Sequence, residues 1–256
     1  MYLVPDAAIP FGFSNGPGGP HDSRTIMLGD LRALLAAVPP NAPYSEYACA
    51  VVEENVLGKR TVANRKGTFG RLRELYALSP ELPVVQGLRT LWDANPETQP
   101  MLALLCASAR DPLLRATAPL VLQTPLGEPV TRESLSAVLE YAFPGRYSQK
   151  SLVSNAQNTA SSWRQSGHLQ GRVKKTRVRA LAQPESTAYA LYLGYLCGAG
   201  GEALFSTFWA QLLDAPAHAL HEQAKIAAQR GWIAYRSLGG VTEVEFPHLP
   251  RVEGRA

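Results

Sequence analysis

Between Ser23 and Leu122 the apolar residues recur at helical spacing, and no stretch alternates apolar with polar residues as a strand would. This restricts the first half of the chain to helix packed on helix. Ser23 reads as the N-cap of a helix carrying Ile26, Leu28, Leu31, Leu34, Leu35 and Val38, stopped by Pro39 and Pro40. A second helix is predicted from Pro43 to about Leu57 with Gly58 just past its end, and a third from about Thr61 to Leu78. Runs at 83–92, 101–109 and 112–122 give three more. Residues 1–22, rich in Pro and Gly, read as an irregular lead-in.

After residue 124 the pattern changes. Thr131 is expected to cap a helix bearing Leu135, Val138, Leu139 and Tyr141, and a helical stretch from Asn155 to Ser166 follows. Residues 168–181 mix apolar and basic residues as a hairpin does. The order then recurs with helices at Ser186 to Cys197 and Glu202 to Leu213. An Asp214 N-cap with Pro216 opens a further helix ending at Gly231. Two short strands flank Gly239 and Gly240. The predicted fold is mainly α: a helical bundle over 23–123, a winged helix over 124–182, and a second winged-helix-like unit over 184–250.

Of the 256 residues, 46% are hydrophobic and 18% charged, which supplies a core and argues against wholesale disorder. Cys49, Cys106 and Cys197 lie far apart with no metal-ligand spacing, so they read as buried free thiols of a reducing compartment. No apolar run is long enough to span a membrane and no charged leader precedes one, so a soluble, cytoplasmic protein without membrane contact is expected. There is no phosphate-cradling P-loop, and the glycine-rich 16–19 segment follows no strand. No nucleophile-elbow motif occurs. His218 and His221 share a helix face without further ligands, while Glu53 and Glu54 point about 100° apart on a helix. No enzyme chemistry, metal or cofactor is expected.

From Ala142 to Pro184 there is no Asp or Glu, yet Arg146, Lys150, Arg164, Arg172, Lys174, Lys175, Arg177 and Arg179 fall there. Such a stripe repels itself when folded, which implies an anionic partner. The alternatives are a solvated face or an acidic protein partner. The helix from Asn155 to Arg164 carries its apolar residues on one side, with Trp163 as core anchor. Its remaining surface offers Ser154, Asn155, Gln157, Asn158, Ser161, Ser162 and Gln165, short uncharged donors and acceptors suited to base edges and phosphates. The interface expected for duplex DNA comprises Lys150, Asn155, Gln157, Asn158, Ser161, Ser162 and Arg164 on the helix and Arg172, Lys174, Lys175, Arg177 and Arg179 on the wing. A second basic segment, Lys59, Arg60, Arg65 and Lys66, binds phosphate or docks a partner. The unit after residue 184 is less basic and reads as a packing or protein-contact module.

The segment Val52, Glu53, Glu54, Asn55, Val56, Leu57, Gly58, Lys59, Arg60, continued by Thr61 and the basic helix to Tyr76, resembles the E-N-L-x-x-K-R-T/S segment of BrxA-like proteins of BREX phage-defence systems. Ser148, Ser151 and Leu152, with Asn158, Ser161, Ser162, Trp163, Ser166, Gly167 and Leu169, resemble their winged-helix core. The resemblance covers roughly residues 23–180. It implies a non-enzymatic protein with a helical domain similar to the NusB fold, a winged helix, and DNA binding within an antiphage locus. It keeps RNA open as a ligand and other defence-system proteins as partners, for which a structural adaptor is the rival role.

Overall fold

The computed structural model describes residues 2–16 and 19–250. The chain is mainly helical with two small antiparallel hairpins. Helices α1 (Leu28–Ala37), α2 (Tyr44–Val52), α3 (Val62–Tyr76), α4 (Pro83–Trp92), α5 (Gln99–Arg110) and α6 (Pro112–Gln123) make up the first half. Thr61 caps α3 by accepting from the Asn64 amide, and Asp111 caps α6 by accepting from Leu113.

Two helix ends depart from the sequence pattern. Helix α1 begins at Leu28 rather than after Ser23, because Ile26 is held elsewhere: its amide donates to Ser162 Oγ and its carbonyl accepts from Tyr76 Oη. Helix α2 stops at Val52, where the Arg65 guanidinium takes the free carbonyl at 2.9 Å; Asn55 then adopts a left-handed conformation.

In the second half the order is α7 (Arg132–Ala142), α8 (Gln149–Gln165), then β1 (Leu169–Gln170) paired with β2 (Thr176–Arg177). Helix α8 is one continuous helix capped by Ser148, longer than the 155–166 stretch predicted. Residues 127–130 run antiparallel along the other side of β2: Arg177 N donates to Glu128 O, Gly127 N to Arg177 O, and Val130 N to Lys175 O. The chain goes on through α9 (Pro184–Leu196), a 3-10 turn at Gly201–Ser206, α10 (Phe208–Gln211), α11 (Ala217–Gln229) and the hairpin β3 (Ala234–Leu238) with β4 (Val241–Glu245). The helix expected over 202–213 is thus a 3-10 turn and one short helical turn.

One continuous cluster of buried apolar residues reaches from Val4 in the lead-in to Leu249. Helix α9 is buried on nearly every face, as its run of Ala, Leu and Tyr requires. The lead-in is not a loose arm, since Val4, Ala8, Phe13 and His21 are all buried. Among the cysteines, Cys106 is buried, Cys197 half-buried and Cys49 exposed, which corrects the expectation for Cys49. No helix among the described residues is long and apolar enough to cross a membrane.

The root of the first hairpin is clamped onto the second half of the chain. Asp214 was expected to cap α11, yet that N-cap is Pro216. The Asp214 carboxylate instead accepts from Arg177 Nη2 at 2.6 Å and from the Ala180 amide at 2.9 Å. Beside it, fully buried His168 donates from Nε2 to Leu212 O at 2.9 Å and takes Ser166 Oγ at Nδ1. Burial pushes the His168 imidazole down to about 4, outweighing the carbonyl bond and the nearby Asp214 charge. The unfolded chain therefore takes up a proton near pH 6.5 that the fold resists until about pH 4. Stability is fully present above 6.5 and falls across that window by up to ~3 kcal/mol. Urea titrations at pH 7.5 and 4.5 should show this loss, and His168→Gln, which keeps the donor to Leu212, should remove most of the difference. Equal pH dependence in both proteins would assign the effect to other groups.

Candidate nucleic-acid interface

Helix α8 has three faces when its residues are placed at 100° intervals. Leu152, Ala156, Thr159, Ala160 and Trp163 point into the core, where Trp163 Nε1 donates to Thr117 Oγ1 at 2.9 Å. Asn155, Asn158 and Ser162 form a flank. Lys150, Ser154, Gln157, Ser161 and Arg164 form the outer face, turned away from the core on the side opposite the flank; all are exposed except Ser161, which is half-buried.

The flank packs against the lead-in, which corrects two of the predicted contacts, Asn155 and Ser162, and engages a third, Asn158. Asn155 is 1% exposed, with its amide nitrogen 3.4 Å from Asp22 Oδ1. Asn158 Nδ2 donates to His21 O at 3.0 Å. Ser162 is fully buried, with Oγ 2.7 Å from His21 Nε2 and accepting from the Ile26 amide at 2.9 Å. These side chains hold a strap of chain against α8; Asn155 and Ser162 are sealed from solvent, while Asn158 is half-buried with its amide nitrogen engaged.

The strap is anchored by a buried pair. His21 Nδ1 donates to Asp111 Oδ2 at 2.7 Å, and the His21 amide donates to the same carboxylate oxygen at 3.0 Å. Burial alone would raise the Asp111 carboxyl, but the charge and hydrogen bonds of His21 and the Leu113 amide outweigh it and hold it below the usual carboxylate range. Ser162, His21 and Asp111 thus stand in the order of a nucleophile, a base and an orienting carboxylate. All three side chains are sealed from solvent, and Ser162 Oγ already serves Ile26, so the trio works as a latch. Gly19 is required beside it, because a Cβ there would lie 2.4 Å from the Asp111 carboxylate.

The hairpin divides in the same way. Arg177 is 2% exposed and paired with Asp214, so it braces the hairpin root and is corrected from a wing contact to a structural residue. Arg172, Lys174 and Arg179 are exposed, and Lys175 is half-buried with Nζ 3.4 Å from Arg172 O. Partial burial and the charge of the Arg164 guanidinium both lower the Lys175 ammonium pKa. Among the described residues, no ion pair engages Lys150, Arg164, Arg172, Lys174, Lys175 or Arg179.

The second basic segment is mostly consumed by the fold. Lys59 pairs with Asp30 at 2.7 Å, and Arg65 caps α2. Of the four predicted contacts only Arg60 and Lys66 remain exposed. On α11, His221 is stacked on Phe205 and bonded to Tyr235 Oη at 2.8 Å and Glu202 Oε1 at 3.1 Å.

This division of α8 predicts opposite outcomes for two amides. Asn155→Ala should lower stability by roughly 1–2 kcal/mol, through the loss of a buried polar contact, and leave nucleic-acid affinity unchanged in the folded protein. Gln157→Ala should leave stability within about 0.5 kcal/mol and change affinity. Urea melts and binding titrations on the same samples check both; reversed outcomes would place the interface on the strap side.

Compared with known proteins, the chain matches no family model and no curated protein.

Proposed function

We propose that residues 124–182, joined by helix α6 from the preceding bundle, form a winged-helix unit that grips duplex DNA. Helix α6, the extended segment 127–130, α7, α8 and the β1–β2 hairpin follow each other in the order of that motif, with α8 as the recognition helix and the hairpin as the wing. The observation that carries the reading is that Lys150 and Arg164 on α8 and Arg172 and Lys174 on the hairpin are all exposed and without an ion pair among the described residues, with no acid between residues 142 and 184. Like charges held together without a counter-ion are relieved by a polyanion. Gln157 is the amide placed to read a base edge, Ser154 and Ser161 are hydroxyls for phosphate or base, and Arg179 extends the basic surface.

The protein acts in this reading without catalysis or cofactor, and the BrxA-like resemblance supports a role in antiphage defence. The unit from α9 onward serves protein contact. Its hairpin exposes Leu238 at 87% and Val241 at 64% rather than a row of cations. Gel-shift titration against duplex DNA, single-stranded DNA and RNA at two salt concentrations tests the proposal. Duplex DNA should bind tightest and lose most affinity as salt rises. Absence of binding to all three would leave the structural-adaptor role, and preference for RNA would replace the ligand.

A further inference from the structure

We propose that the cavity between α4 and the segment 247–250 binds a small organic monocarboxylate with an apolar body, its carboxylate seated against Arg89. The inference stands apart from the duplex-DNA reading and uses none of its residues.

The cavity has a volume of about 380 Å³, within the roughly 300–1,000 Å³ usual for small-molecule sites. Helix α4 supplies one wall. Val85 and Arg89 stand four residues apart, as do Gln86 and Thr90, so all four line one side of that helix. Residues 40–41 after α1 and the segment 247–250 after β4 close the rest.

Arg89 marks the site. It is 5% exposed, and its Nη1 and Nη2 donate to Leu35 O at 3.1 Å and Val38 O at 2.7 Å, carbonyls at the end of α1. Those bonds fix the guanidinium but bring no full counter-charge. Its Nε is buried without an acceptor, and no carboxylate pairs with Arg89 among the described residues. A buried charge with an unspent donor is costly until an acceptor reaches it. The side-chain amides of Asn41 and Gln86 line the same cavity and make no hydrogen bond among the described residues. No Asp or Glu among those residues lines it.

The complement of this polar end is an anion. One fixed cation matches one negative charge, and the Nε–H with an amide N–H beside it matches the two oxygens of a carboxylate. The other walls are apolar, with buried Val85 and Leu249 and the rings of Pro40, Pro80 and Pro247. A hydrocarbon body gains from such walls, and a strongly hydrated phosphate does not.

The test is isothermal titration calorimetry of the full chain, with parallel thermal melts, against benzoate, hexanoate, the neutral isostere benzamide and inorganic phosphate at matched ionic strength. The two carboxylates should bind in the millimolar range or tighter and raise the melting midpoint. Benzamide and phosphate should each bind at least about tenfold more weakly. Gln86→Glu, at a half-buried position, sets a carboxylate of the protein's own beside Arg89. It should abolish benzoate binding and raise the midpoint of the ligand-free protein. Lys174→Glu, on the β1–β2 hairpin, should leave benzoate binding unchanged. Failure of both carboxylates to bind, equal affinity for benzoate and benzamide, or binding that survives Gln86→Glu or is lost in Lys174→Glu overturns the proposal. A Gln86→Glu midpoint below wild type overturns it as well, because the Arg89 end of the cavity would then reject a carboxylate.

Discussion

Arg164→Glu combined with Lys174→Glu should cut duplex affinity at moderate salt by more than about 100-fold, because two phosphate contacts become two repulsions on one surface. The expected size follows from charge rather than from lost packing. Both side chains are exposed and neither takes part in an ion pair among the described residues, so the fold should survive the reversal. Anisotropy titrations, with circular dichroism melts to confirm an unchanged midpoint, check the result. The same reversal at Arg60 and Lys66 should weaken binding only slightly, since those residues lie on α3 and its approach rather than on α8 or the hairpin. If the two double reversals cost the same, the interface has no centre at α8 and the duplex is held by diffuse charge.

Asp111→Ala should destabilise the protein by about 3 kcal/mol, because buried donors left without their acceptor cost ~1–3 kcal/mol each. One carboxylate receives His21 Nδ1, the His21 amide and the Leu113 amide, and all three would be left without it in a dry site. The strap would then leave the flank of α8, and the first turn of α6 would lose its cap. Because the folded carboxyl titrates below its unfolded value, the contribution is present in full above about pH 4 and disappears as pH falls through the lower folded value. Urea unfolding at neutral pH measures it. A loss under about 1 kcal/mol would mean that the strap stays in place through its apolar contacts and that the latch is incidental.

Much of the helical plan was legible in the chain itself. Proline at the first turn and capping residues at 61, 111 and 131 fix the starts of α3, α4, α6 and α7 within a residue or so. What spacing could not reveal is long-range capture. His21, Asp111 and Ser162 meet across 90 and 141 residues, and Asp214 is taken by Arg177 instead of capping α11. A capping residue and an ion-pair partner look alike in sequence until the fold brings the competitor near.

The site shows the same limit. The polar residues of α8 read as one surface, although a 100° step already separates Asn155, Asn158 and Ser162 from Ser154, Gln157 and Ser161. That signal was present in the sequence. Which of the two groups lies open was not, because it depends on a glycine-bearing strap well over a hundred residues upstream. The basic stripe likewise mixed two roles, with Arg177 buried as a brace and its neighbours left in solvent.

The salt dependence of duplex binding tests the central claim most directly. Five cations gathered on one surface should give a log–log slope of roughly −4 to −5, each phosphate contributing about −0.9. A slope near zero, or no measurable duplex binding at low salt, would contradict it.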